Sequence, residues 1–209
     1  MPVSSKIAIV LEDVPLRSDG TQLATEEGCS SGLSNSSNNE AVVLNPLGRM
    51  IADTAEDEKP KQFRNNKNHT IATWNVRTMN QGKLEVVTNE KDRINLDILG
   101  ISEMRWTGCG DIRKGDHTVY YSGHQKYKRN GVAIIVNKKI SKSVLGYNMV
   151  NDRIIALRLQ GHPFNTSIIQ IYAPTTNADD DVIEQFYTEL QEVLDNIPKK
   201  DMLFLIGMQ

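Results

Sequence analysis

From Thr70 onwards the chain is a series of short apolar runs separated by turn signals, and this pattern restricts it to a fold built largely from strands. The runs are TIATWNV, LDILGIS, HTVYYSG, GVAIIVN, KSVLGYN, RIIALRLQ, NTSIIQIYAP and MLFLIG. Such runs, rich in β-branched and aromatic residues, predict buried strands. The five runs in the middle, joined by turn residues, predict an antiparallel meander.

Two segments have apolar residues at helical spacing instead. The first, GKLEVVTNEKDRIN, lies between two predicted strands, so those strands are expected to pair in parallel. The second covers residues 182–197, begins after the acidic run at residues 179–181 and stops before Pro198. Helices at both ends with strands between them predict a mixed α/β layered domain with helices on the outer faces.

The first third of the chain has a different composition. From about Arg17 to Asn68 it is polar, has few aromatic residues and shows no sustained period of 2 or 3.6. We therefore predict two regions, a disordered tail at residues 1–69 and an ordered domain at residues 70–209. The short apolar segment Ile7–Leu11 is either a docking segment or of no consequence.

Charge, cysteines and hydropathy limit the classes of function. The net charge of −2 provides no overall attraction to polyanions, so nucleic acid would have to bind at a local patch. Cys29 and Cys109 match no zinc or redox spacing, which predicts reduced thiols with no disulfide partner. Segment Ile7–Leu11 is too short for the core of a signal peptide or for a membrane span. We expect an intracellular protein, nuclear or cytoplasmic, that does not bind membranes.

Polar or aromatic side chains follow three of the predicted strands at the point where each strand ends. Asn75 follows IATW, Glu103 follows DILGIS, and Tyr172 follows IIQI. Ligands of α/β sheets bind outside the carboxyl ends of the strands, so these three side chains are expected to converge. Amide and carboxylate oxygens are ligands that Mg²⁺ accepts. Taken singly, each has an ordinary structural explanation as a turn residue, a solvated acid or a packed ring.

Basic and aromatic residues near this predicted site are candidates for nucleic-acid contact, because basic groups pair with phosphates and aromatic rings stack on bases. The candidates are Arg105, Trp106, Lys126, Lys128 and Arg129. A solvated turn is the alternative for the basic segment HQKYKRNG. The segment WTGCGD is either a flexible loop over the site or a plain glycine turn.

Six motifs, taken together, resemble the endonuclease/exonuclease/phosphatase family, and most closely the endonucleases of RTE-type (Bov-B-like) retrotransposons. They are IATWNVR, LDILGISEMRW, NGVAIIV, NDRIIALRL, IIQIYAPT and FLIG, in the family's order and approximate spacing. The resemblance implies a four-layer α/β sandwich. It also implies a phosphodiesterase that depends on Mg²⁺ or Mn²⁺ and nicks DNA.

The same resemblance implies roles for individual residues. Asn75 corresponds to a catalytic and metal-binding asparagine, and Glu103 to the glutamate that holds the metal. Tyr172 corresponds to a catalytic tyrosine that approaches the scissile phosphate. Arg153 falls on a common arginine that would support the site or contact the phosphate backbone, whereas Arg77 replaces an aspartate that some members carry.

The last predicted strand departs from the family pattern. Met208 follows Gly207 where the family has an aspartate that orients the attacking water. By the same resemblance, the chain ends before the family's later strands and its aspartate–histidine pair. We therefore expect the N-terminal part of the sandwich, incomplete at its C-terminus and catalytically impaired. The alternative is a non-enzymatic fragment that binds nucleic acid or protein. The four histidines are expected to be surface imidazoles that do not replace the missing groups.

Overall fold

The computed structural model describes residues 8–11, 63–64, 69–80 and 82–208. Most of the predicted tail, residues 1–69, lies outside these ranges. The described parts of the tail are the strands Ala8–Leu11 and Phe63–Arg64 and the single residue His69.

Strands dominate the described part of the chain, as the apolar runs predicted. The strands are β1 (Ala8–Leu11), β2 (Phe63–Arg64), β3 (Ile71–Asn75), β4 (Ile98–Ser102), β5 (Cys109–Lys114), β6 (His117–Ser122), β7 (Val132–Asn137), β8 (Val144–Met149), β9 (Ile154–Leu159), β10 (Gly161–His162), β11 (Thr166–Tyr172) and β12 (Met202–Met208). The helices are α1 (Lys83–Arg93), α2 (Lys138–Ser141) and α3 (Asp180–Asp195).

One sheet has six strands in the order β1-β3-β4-β7-β6-β5. Strands β3 and β4 pair in parallel, with Asn75 opposite Ser102 at their carboxyl ends, and α1 connects them. The predicted parallel pair is therefore confirmed. Strand β1 also pairs with β3 in parallel, whereas the pairs β4–β7, β7–β6 and β6–β5 are antiparallel.

The second sheet has four strands in the order β12-β11-β9-β8. Strands β8, β9 and β11 are antiparallel, whereas β12 follows α3 and pairs with β11 in parallel. The predicted meander is thus divided between two sheets. Strand β5 was not predicted, because its exposed sequence CGDIRK lacks an apolar run.

Three apolar clusters separate four layers. The central cluster lies between the sheets and contains Ile98, Ile134, Leu157, Ile168 and Ile206. Leu84 and Val87 of α1 pack on the other face of the six-stranded sheet, against residues such as Leu99 and Ile135. Phe186, Leu190 and Val193 of α3 pack on the outer face of the second sheet, against Ile154 and Ile169. The order helix, sheet, sheet, helix confirms the predicted α/β sandwich.

A buried polar cluster also joins the two sheets. Gln170 of β11 is fully buried; its amide oxygen accepts a hydrogen bond from the Thr73 hydroxyl at 3.0 Å, and its amide nitrogen donates to Ser102 Oγ at 2.9 Å. Gly100 lies directly beneath it, and a Cβ there would overlap the Gln170 amide oxygen. Because a buried amide needs partners, this cluster favours one alignment of the sheets.

His117 corrects one expectation. It is only 8% exposed, and its Nε2 lies 2.9 Å from a carboxylate oxygen of Asp92, so it is a buried hydrogen-bonded imidazole and not a surface group. Cys109 is an exposed free thiol, while Cys29 lies outside the described residues. None of the described helices is long and apolar enough to cross a membrane.

Candidate active site

The two sheets meet at one edge around the carboxylate of Glu103. Asn75 is the last residue of β3, Glu103 directly follows β4, and Tyr172 is the last residue of β11 in the facing sheet. Glu103 Oε1 accepts hydrogen bonds from Asn75 Nδ2 at 3.0 Å and from the Tyr172 hydroxyl at 2.7 Å. The structure therefore brings together the three residues that the strand-end pattern singled out.

The backbone around this carboxylate is unusual. Arg77, Thr78, Glu103 and Arg105 have φ angles of 44°, 93°, 55° and 57°, in the left-handed region that non-glycine residues rarely occupy. The amide of Thr78 donates to the Glu103 carbonyl at 2.7 Å, so the two strained segments support each other. Strain of this kind costs about 1–3 kcal/mol per residue and clusters at functional sites.

Hydrogen bonding keeps Glu103 ionised. Burial acts to raise the pKa of Glu103, but hydrogen bonds from Asn75, Tyr172 and Arg105, with the positive charge of Arg105, lower the pKa below its ordinary value. Burial, then the hydrogen bond and negative charge of Glu103, raise the pKa of the Tyr172 phenol to about 12. Around neutral pH the pair is a carboxylate and a protonated phenol.

Two arginines flank this pair. Arg105 Nη2 lies 3.2 Å from Glu103 Oε2, and its side chain is 46% exposed, so it can exchange this contact for another anion. Arg153 Nη1 donates to the Tyr172 carbonyl at 3.1 Å, and its guanidinium lies 5.2 Å from the centre of the Tyr172 ring. Arg153 therefore supports Tyr172 through a backbone hydrogen bond and a cation–π contact.

The donor atoms fit a divalent metal held through Glu103. Mg²⁺ commonly takes one or two protein carboxylates and completes its shell with water and phosphate oxygens. Asn75 is placed differently, because its amide oxygen accepts the Arg77 amide at 3.0 Å while its nitrogen faces Glu103. The two hydrogen bonds define this orientation of the amide. In it, Asn75 positions the Glu103 carboxylate, and its own oxygen is not available as a second ligand of the metal. In the described ranges, no three His, Cys, Asp or Glu side chains form a metal-binding group.

Met208 lies beside the site on β12. It pairs with Tyr172 across the parallel β11–β12 ladder, and its carbonyl accepts the Ala173 amide at 2.9 Å. Gly207 precedes it, where a Cβ would overlap the Ile171 carbonyl. Strand β12 therefore places the thioether of Met208 at this edge, and a thioether is neither a hard metal ligand nor a base.

The candidates for nucleic-acid contact separate into two groups. Arg105, Trp106 and Lys128 line one cavity of about 610 Å³ next to Glu103. Lys126 and Arg129 do not line it; the Arg129 guanidinium lies 5.7 Å from the centre of the Tyr127 ring and 4.0 Å from the Asp152 carboxylate.

Sequence reasoning did not identify the polar cluster behind the site. Thr73, Ser102 and Gln170 all lie within apolar runs. The only signal that could have indicated the cluster is that Gly100 and Gln170 interrupt those runs. Tyr121, which lines the cavity with Trp106, was likewise assigned only to a strand.

The chain is similar in sequence to craniofacial development protein 2 of two species. It is 48% identical over 196 residues to craniofacial development protein 2 of Bos taurus and 46% identical over 196 residues to that of Tragulus javanicus. These matches cover 94% of this chain but only 33% and 34% of the relatives, so the chain spans about a third of their length. No protein-family model matches.

A solved structure with a similar arrangement is the endonuclease domain of TRAS1, a telomere-specific non-LTR retrotransposon. The TM-score is 0.49 and the identity 16%, over 66% of this chain and 57% of that one. The sequence similarity to craniofacial development protein 2 is much stronger than this structural likeness.

Proposed function

We propose that this chain carries the metal- and phosphate-binding half of a divalent-metal-dependent phosphodiesterase site that acts on DNA and is of retrotransposon origin. The observation that carries the proposal is the ionised Glu103, held by donors from both sheets at an edge with two flanking arginines. The motif resemblance supports the retrotransposon origin.

In this proposal each side chain has a separate task. Glu103 holds Mg²⁺ or Mn²⁺, and Asn75 and Tyr172 fix the orientation of its carboxylate. When bound, the metal polarises a phosphate oxygen and lowers the pKa of a coordinated water. Arg105 is 46% exposed and can turn from Glu103 to a phosphate.

Tyr172 acts as a hydrogen-bond donor. Its raised pKa, about 12, keeps the phenol protonated. Its single O–H is donated to Glu103 before substrate binds and can then turn to a phosphate oxygen on which charge develops. Arg153 holds the tyrosine in place from behind. Each donor of this kind can contribute about 10²- to 10³-fold in rate.

The described residues do not supply the proton acceptor that phosphodiester hydrolysis requires. Glu103 is a weak base because its pKa is lowered, and Met208 occupies the neighbouring strand position. Among the described side chains, no second carboxylate or imidazole is hydrogen-bonded to Asn75, Glu103 or Tyr172. We propose that this chain, tested alone, binds metal and DNA but cleaves slowly.

The test compares Glu103→Gln with Glu184→Gln, a matched change on the exposed face of α3, in nicking of supercoiled plasmid with Mg²⁺ or Mn²⁺. Both substitutions are made in this chain, and the unmodified full-length Bos taurus relative is assayed beside it. We expect EDTA-sensitive nicking, weak for this chain, that Glu103→Gln abolishes and Glu184→Gln leaves unchanged. Equal nicking by the two variants would show that Glu103 does not hold the metal.

A second candidate function is nucleic-acid binding without cleavage, which the thioether of Met208 at the site favours. It requires DNA binding by both proteins with no EDTA-sensitive nicking by either. Strong nicking by this chain alone would exclude this second function and would also contradict the expected slow cleavage.

A further inference from the structure

The cavity beside Glu103 has the composition of a nucleotide-binding subsite. Its volume of about 610 Å³ lies in the range of small-molecule sites, and Thr78, Arg105, Trp106, Tyr121 and Lys128 contribute to its lining. Arg105 belongs to this lining and also contacts Glu103, so the cavity and the proposed phosphate site share one guanidinium.

Two aromatic rings meet at right angles in this cavity. The centres of the Trp106 and Tyr121 rings are 5.2 Å apart and their planes are inclined by 83°. The Trp106 indole N–H donates to the Met79 carbonyl at 2.7 Å, which fixes the ring and satisfies its one donor. What remains available to a ligand is an apolar π surface, of the kind on which nucleobases stack.

The segment that carries Trp106 is held rigidly. The Gly108 amide donates to the His124 carbonyl at 3.1 Å, and the Gly123 amide donates to the Gly108 carbonyl at 2.8 Å. A Cβ at Gly123 would overlap the Trp106 carbonyl, so only glycine permits this approach. The cavity is therefore preformed, which lowers the entropic cost of binding.

Positive charge lies at the rim of the cavity. Arg105 and Lys128 are both exposed, and among the described side chains Lys128 forms no ion pair with an acid. Because the whole chain has a net charge of −2, this local pair of cations would have to attract a polyanion by itself.

We propose that this cavity binds an unpaired nucleotide of a DNA strand adjacent to the cleaved phosphate, with its base stacked on Trp106 and a phosphate between Arg105 and Lys128. The inference rests on the proposed function and adds a preference for single-stranded or flipped-out DNA. A base within a duplex has both faces covered by its neighbours and cannot reach Trp106 without leaving the stack.

The test measures binding by fluorescence anisotropy in EDTA, so that cleavage plays no part. The ligands are labelled hexathymidylate and a strand with the same phosphate backbone whose bases are replaced by abasic analogues. We expect tighter binding of hexathymidylate, and Trp106→Ala should weaken that binding about tenfold while leaving the abasic strand unaffected.

Controls separate stacking from charge and from misfolding. Tyr127→Ala removes a 61% exposed aromatic ring outside the cavity and should leave both affinities unchanged. Lys128→Ala should weaken binding of both strands. In the unmodified chain, hexathymidylate should also quench the fluorescence of Trp106, since the other tryptophan, Trp74, is only 4% exposed.

The outcomes distinguish the two proposals. Equal affinity for the strands with and without bases, or a Trp106→Ala variant that still prefers bases, would overturn the subsite even if plasmid nicking remained EDTA-sensitive. Base-dependent binding that Trp106→Ala abolishes would support the subsite, and absence of nicking by the full-length relative would then overturn the proposed function alone.

Discussion

Replacing Glu103 by glutamine should lower the pKa of Tyr172. In the protein this pKa is raised to about 12 by burial, and next by the hydrogen bond and the negative charge of Glu103. The hydroxyl-to-carboxylate distance of 2.7 Å makes this a short, charge-assisted hydrogen bond. The substitution removes the charge while keeping the size of the side chain.

The magnitude follows from what the variant retains. The phenol stays buried and the glutamine oxygen still accepts its hydrogen bond, so only the part due to charge disappears. With about 10 as the ordinary value for tyrosine, we expect the pKa to fall from about 12 to about 11. The variant also loses the ion pair with Arg105, and weakening these hydrogen bonds should cost about 1–2 kcal/mol in the free energy of unfolding.

The assay is a pH titration followed by the ¹³Cζ resonances of labelled tyrosines, with Tyr172→Phe to assign the signal. Tyr147 is an internal control, because its pKa is also raised to about 12 but its partner is Asp111, at 2.9 Å. Its titration should not move in Glu103→Gln. If the pKa of Tyr172 stays at about 12 in the variant, Glu103 does not interact with the phenol as described.

Three further predictions concern the same region. Gly100→Ala should destabilise the fold by about 1–3 kcal/mol, because its Cβ would overlap the Gln170 amide, whereas Gly146→Ala meets no atom within 4 Å and serves as the control in urea unfolding. The lowered pKa of Glu103 means that its stabilisation is present above the ordinary value of 4.5 and disappears as the pH falls through the lower folded value. The stability difference between the unmodified chain and Glu103→Gln should therefore shrink as the pH is lowered from neutral to below 4.5, and a constant difference would contradict the shift. Met208→Asp should tighten Mn²⁺ binding about tenfold relative to the neutral Met208→Asn, measured by electron paramagnetic resonance of free Mn²⁺; equal affinities would place the metal elsewhere.

Much of this architecture could be predicted because the pattern is local. Strands β3 and β4 are continuous apolar runs around a helical segment, and the convergence of Asn75 with Glu103 follows from the geometry of parallel strands. The division of the meander into two sheets could not be predicted, since the same apolar runs are compatible with either sheet. Strand β5 escaped detection because an exposed edge strand needs no apolar residues.

The remaining features depend on contacts that are distant in the sequence. Tyr172 was predicted to lie at the site, but its hydrogen bond to Glu103 joins residues 69 positions apart. Gln170 belongs to an apolar run, and its buried role depends on Thr73 and Ser102 in the other sheet. The cavity at Trp106 needs the close approach of Gly123, which no periodicity reveals.

Because Glu103 and Tyr172 come from different sheets, the central apolar cluster has to form before the two side chains can meet. A chain with only one sheet assembled would have the carboxylate without its phenol. The contact between the two therefore reports on completed tertiary folding, and a nascent or partly unfolded chain would lack the arrangement proposed to hold the metal.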